Sequence, residues 1–137
     1  MIGLLVVTHG RLALELVDAA RHIVRDPGPI KALVLDWDLD AEESRREIGA
    51  ELKEFDKGDG VIIVTDMLGG TPANVAMTFL EPGRLEVVTG VNLPMVIKFA
   101  NLRGQKGGVE EVARLLAEKG RWHITVAGEV LAGKEEA

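Results

Sequence analysis

Four short apolar runs recur along the chain, and each is followed by residues at helical spacing. They are Ile2-Gly3-Leu4-Leu5-Val6-Val7, residues 30–35, Val61-Ile62-Ile63-Val64-Thr65 and Leu85-Glu86-Val87-Val88-Thr89. The first has no apolar/polar alternation, which is the pattern of a strand covered on both faces. Between the strands, Leu12, Leu16, Val17, Ala20, Ile23 and Val24 predict a helix over 12–25, stopped by Pro27-Gly28-Pro29. Asp40 and Glu43 have the spacing of a capping box, and Ile48, Leu52 and Phe55 form the inner stripe of the helix they open. Lys57-Gly58-Asp59-Gly60 turns the chain into the third strand, and a short helix is predicted over 72–80. Met95, Val96, Phe99 and Leu102 mark another helix; 103–108 reads as a break, and 109–119 as a helix stopped by Gly120. Residues 122–126 alternate apolar and polar, predicting a strand buried on one side only, as at a sheet edge.

This order predicts an α/β fold: a doubly wound, four-stranded parallel sheet with helices on both faces. Strand order 2-1-3-4 would bring the ends of strands one and three together at a switch point, although other doubly wound orders fit the pattern nearly as well. With 137 residues, one domain over 1–130 is expected, with 131–137 a frayed tail.

Composition narrows the function. Apolar residues make up 47% and charged residues 28%, ordinary for a soluble domain. Net charge is −6 with no basic block, which argues against a nucleic-acid binder. No apolar run is long enough to span a membrane, and the N-terminus enters a strand without the basic region of a signal peptide; a cytoplasmic protein is expected. The absence of Cys excludes disulfides and thiolate chemistry.

The candidate chemistry lies at strand ends. His9, in Thr8-His9-Gly10, stands where the first strand gives way to a helix, the place where open α/β sheets bind ligands. A neutral imidazole there is a nucleophile suited to accepting and passing on a phosphoryl group. A histidine that merely caps the helix or fills a core contact fits the position about as well. Asp66, at the end of the third strand, would accept the Nδ1–H of His9 and leave Nε2 free, though a turn acid is the plainer reading of Asp66 alone. Gly69 and Gly70 allow close backbone approach, Thr71 fits an N-cap and Pro72 the first helical position. Such a helix start can hold an anion, with the Thr71 hydroxyl as a further donor. Asn92 lies in a third loop at the same end of the sheet. His22 and His123 read as structural or surface residues. Asp36, Asp38 and Asp40 suggest a metal cluster at first sight, but Asp40 is a cap and no calcium-loop spacing completes the set, so no metal site is expected.

Three motifs taken together, Val7-Thr8-His9-Gly10, Asp66 with Gly69-Gly70-Thr71-Pro72, and Gly90-Val91-Asn92-Leu93-Pro94-Met95, give a more specific signal. In this order and spacing they resemble the IIA component of the mannose-type sugar phosphotransferase system, over nearly the whole chain to about residue 125. The resemblance implies a cytoplasmic phosphotransferase that carries phosphohistidine. His9 would take a phosphoryl group from the phosphocarrier protein HPr and pass it to a IIB component. Asp66 would orient His9, and Thr71 would lie by the phosphoryl group, with the backbone of Gly10, Gly69 and Gly70 around it and Asn92 in a nearby loop. It also implies a homodimer in which the C-terminal edge strand crosses to the partner and pairs antiparallel with its sheet, and no metal or organic cofactor. Two departures stand out. Met67-Leu68 replaces a segment that often holds an aromatic residue in the family. The chain also ends soon after its last strand, so the IIB component is expected to be a separate protein. A phosphoryl-donor subunit for dihydroxyacetone kinase and a regulatory protein whose phosphorylation is sensed by a partner would share this chemistry. A histidine phosphatase or mutase would need an arginine where Thr8 stands. The sugar is not legible.

Overall fold

The computed structural model describes residues 1–102 and 107–133. Its elements run β1 (Gly3–His9), α1 (Leu12–Ile23), β2 (Ile30–Leu35), α2 (Ala41–Phe55), β3 (Val61–Thr65), α3 (Thr71–Met77), β4 (Leu85–Val88), α4 (Leu93–Asn101), α5 (Val109–Trp122) and α6 (Ala127–Leu131). The four strands form one parallel sheet in the order β2-β1-β3-β4. Among the doubly wound orders the pattern allowed, this is the one that sets β1 and β3 side by side.

Side chains of a strand alternate between faces, so the two sides of β1 pack against different layers. Leu4 and Val6 join residues of α1, α4 and α5 in one apolar cluster; Leu5 and Val7 join residues of α2 and α3 in the other. Continuing the alternation, Thr8 belongs to the α1 side and His9 to the side of α2 and α3. Thr8 is fully buried, and its Oγ1 accepts the backbone N–H of Ala13 at 2.7 Å. Arg11, at the N-cap of α1, makes no side-chain cap bond, so the hydroxyl of Thr8 satisfies a first-turn donor in its place.

The capping box at α2 forms as expected: Asp40 accepts the Glu43 N–H at 2.8 Å, and Glu43 accepts the Asp40 N–H at 3.2 Å. The burial stripe of α1 is shifted from the expected one. Ala13, Val17 and Ala20 are buried, while Leu12 and Ile23 are exposed, because small residues let the helix sit close to the sheet. The short helix after β3 ends at Met77, sooner than expected, with Thr78 Oγ1 donating to the Val75 carbonyl at 2.6 Å.

The C-terminal part differs from expectation in two ways. Gly120 does not stop a helix; it lies inside α5 and is buried. A Cβ there would meet Met95 Cε at 2.9 Å, and the Asn92 amide donates to the Gly120 carbonyl at 3.0 Å, so this glycine lets α5 close against the start of α4. Residues 122–126 do not form the expected edge strand within the chain. Trp122 is the last residue of α5, with the Lys119 ammonium 5.0 Å from its ring centroid; His123 caps the helix, and the chain then leads into α6. Trp122 thus lies in the last turn of α5, three residues beyond the helix end that the sequence predicts. The expected break at 103–108 lies mostly outside the described residues, as does residue 134 onward of the expected frayed tail.

Candidate functional site

The site forms at the carboxyl ends of β1, β2 and β3. Parallel register sets His9 opposite Leu35 and Val7 opposite Thr65, so the residues that follow β2 and β3 flank His9. His9 Nδ1 lies 2.7 Å from Asp66 Oδ2, and the backbone N–H of His9 donates to the same oxygen at 3.1 Å. Asp66 Oδ1 accepts the Met67 N–H at 3.1 Å. Partial burial by itself would raise the Asp66 pKa, but the hydrogen bonds from the side chain and backbone of His9, with its charge, outweigh that and hold it below the ordinary carboxylate value. An ionised carboxylate can only accept, so Nδ1 carries the proton. In the neutral ring Nε2 then holds the lone pair, and it makes no hydrogen bond among the described residues.

The ring is enclosed on two further sides. Gly70 backs it so closely that a Cβ there would lie 2.6 Å from Cε1. The indole of Trp37 stacks on it, with centroids 5.5 Å apart and planes 24° apart. A cavity of about 60 Å³ beside His9 is lined by Leu35, Asp36, Leu39, Ser44, Thr71 and Pro72, together with Trp37. This lining holds one acid and no lysine or arginine.

Of the expected residues, His9, Asp66, Gly70 and Thr71 come together here. Gly10 adopts φ +55°, as the sharp exit from β1 requires, and Gly69 adopts φ +90°. Thr71 is not the N-cap. Gly70 holds that position, already extended at φ −82° and ψ 164°, and Thr71 is the first helical residue, so its hydroxyl is left to line the cavity. Asn92 caps α4 by accepting the Met95 N–H at 3.1 Å, and its amide is committed to Gly120. His22 bonds to the Asp18 carbonyl on the exposed side of α1, and His123 ends α5. Among the described residues no group of three or more His, Cys, Asp or Glu is placed to hold a metal ion. Sequence reasoning missed Trp37 and Ser44. The signal for Trp37 was the strand order itself: with β2 beside β1, the loop after Leu35 must meet His9.

A carboxylate-held histidine at the switch point of a β2-β1-β3-β4 sheet defines an open α/β protein whose strand-end imidazole keeps one ring nitrogen unbonded among the described residues. Residues 3–116 match the family described as PTS system fructose IIA component (EIIA-man), and the chain belongs to that family of phosphotransferase-system (PTS) IIA components. It is 27% identical over 121 residues to the PTS system mannose-specific EIIAB component of Escherichia coli (strain K12), covering 88% of this chain and 38% of that protein. The chain therefore spans well under half the length of that relative. The PTS system fructose-specific EIIA component of Bacillus subtilis (strain 168) is 26% identical over 104 residues, 75% of this chain and 71% of that one. Among solved structures, the mannose/sorbose specific IIA subunit of the phosphotransferase system from Enterococcus faecalis superposes with a TM-score of 0.80 at 30% identity, covering 90% of this chain and 92% of that one.

Proposed function

We propose that this chain is a cytoplasmic phosphocarrier of the phosphoenolpyruvate-dependent sugar phosphotransferase system. His9 Nε2 attacks the phosphorus of phospho-HPr, forming an N–P bond as the donor's own N–P bond breaks. A IIB component then takes the phosphoryl group by the reverse exchange. Asp66 fixes the Nδ1–H tautomer and offsets the positive charge that develops on the ring. Thr71 and the backbone of Gly10, Gly69 and Gly70 supply donors to the phosphoryl oxygens, since phosphoryl transfer is catalysed chiefly by positioning and charge stabilisation. The observation that carries this reading is the 2.7 Å bond between His9 Nδ1 and Asp66, which leaves Nε2 as the reactive nitrogen.

The test is incubation with a reconstituted phosphoenolpyruvate relay, followed by mapping of acid-labile phosphate. Label is expected on His9 and absent from His9→Ala. Undiminished label in that variant, or label on His22 or His123, overturns the assignment.

The same reading includes a homodimer in which the C-terminal segment of one protomer lies along β4 of the other. In its support, β4 is an edge of the sheet, and beside it runs a groove lined by Glu86, Val88, Thr89, Arg114 and Arg121. Ile124, Val126 and Leu131 are exposed in the single chain. An open strand edge is ordinarily covered. Ending the chain after His123 should abolish the dimer by light scattering; a truncated chain that stays a monodisperse dimer puts the interface elsewhere.

A further inference from the structure

Trp37 is 76% exposed, so burial does not account for an indole at this position. What it touches is the site. Its ring stacks on His9, and it lies so close over Gly10 that a Cβ there would stand 2.9 Å from Nε1. The loop that carries it is framed on both sides. Leu35 ends β2 in register with His9, the Leu39 N–H donates to the Asp36 carbonyl at 3.1 Å, Leu39 packs into the core, and Asp40 opens α2 through its capping box. The indole is thus presented to the imidazole at the tip of a fixed turn. Asp66 holds one edge of the imidazole, and Gly70 backs another.

We propose that Trp37 is a positioning residue for His9: it holds the plane of the imidazole so that Nε2 alone is offered to the incoming phosphorus. The role rests on the phosphocarrier reading above. Asp66 fixes one point of the ring and its tautomer, but a ring held at one point can still tilt; a stacked indole removes that freedom. Small errors in the approach of reacting atoms are costly to rate, which gives the stack its value.

Two measurements test this. In Trp122→Phe protein the only indole is Trp37. Its emission is expected to differ in wavelength and intensity from that of the same protein carrying His9→Gln, because the imidazole lies against the indole. Emission that is the same with and without the imidazole overturns the stack. The second measurement is single-turnover phosphorylation by phospho-HPr. Trp37→Ala is expected to lower the rate at saturating donor by roughly tenfold, with Trp37→Phe recovering most of it, while both melt with the wild type. An undiminished saturating rate in Trp37→Ala, with or without weaker half-saturation, overturns positioning and leaves at most a docking contact. Wild-type protein that accepts no phosphoryl group overturns the phosphocarrier reading and this role together; normal wild-type uptake with an unimpaired Trp37→Ala overturns this role alone.

Discussion

A Cβ on residue 70 would lie 2.6 Å from Cε1 of His9 and 3.1 Å from its Nε2. Gly70 has φ −82° and ψ 164°, a conformation any residue adopts, so the closeness of the ring, and not the backbone, requires glycine there. Gly70→Ala should push the imidazole off Asp66 and slow phosphoryl acceptance by roughly 100-fold, with little change in melting temperature. Gly69→Ala is the contrasting case. Nothing lies within 4 Å of a Cβ at residue 69, but φ is +90°, so that variant should lose about 1 kcal/mol of stability and keep more of the rate. Rapid-quench kinetics and thermal melts of the pair decide the matter; equal rates in the two variants would remove the steric argument.

Asp66→Asn keeps the shape of the side chain but can donate to Nδ1, moving the ring proton to the nucleophilic nitrogen. In a Ser-His-Asp triad the same exchange costs about 10⁴ in kcat; a smaller but clear loss is expected here if the donor also orients the ring. The pH dependence of stability follows from the direction of the Asp66 shift. Its pKa is lower in the folded chain than the ordinary 3.8, so its contribution is fully present above that value and is lost as pH falls through the folded one. The stability deficit of Asp66→Asn should therefore shrink as pH falls below the ordinary carboxylate range. Denaturant melts across that range check it, and a deficit that persists undiminished once the carboxylate is protonated would contradict the sign.

Thr71→Ala separates two roles that the sequence had joined. Because Gly70 is the N-cap and Thr71 makes no cap bond, the variant should not show the loss of about 1 kcal/mol expected of a missing cap. Phosphoryl transfer should still fall, and Thr71→Ser should restore most of it. A Thr71→Ala protein that melts early while transferring at the wild-type rate would reverse the assignment.

Thr65 is fully buried beside Asp66, and its hydroxyl has no hydrogen-bond partner among the described residues. An unpaired buried hydroxyl is destabilising, so Thr65→Val should raise stability by about 1 kcal/mol, read as a higher melting temperature. A lower melting temperature would mean that the hydroxyl is bonded in solution.

The strands and their order of appearance were legible because buried parallel strands are written as unbroken apolar runs, and the β-branched run of Ile62, Ile63 and Val64, entered from a glycine turn, is too short for a helix. The Asp40–Glu43 box was legible because both partners are local. The pairing of His9 with Asp66 was an inference from strand order, and the order was one of several until the register fixed it. What escaped depends on contacts between distant segments. Gly120 reads as a stop in sequence and becomes a contact glycine only because Asn92 and Met95 lie against it. Five alternating residues from Trp122 serve equally as a strand or as a helix end leading into a connection. Thr71 missed the cap by one residue, since backbone angles at Gly70 decide where the helix begins.

The consecutive residues Thr8 and His9 reach into opposite layers of the molecule. The hydroxyl of one is tied to α1 through Ala13, and the ring and amide of the other are tied to the end of β3 through a single carboxylate oxygen. The last step of β1 is therefore a crossbar bolted at both ends. A substitution that loosens the layer of α1, α4 and α5, remote from the imidazole, is therefore expected to be felt at His9 through its own backbone.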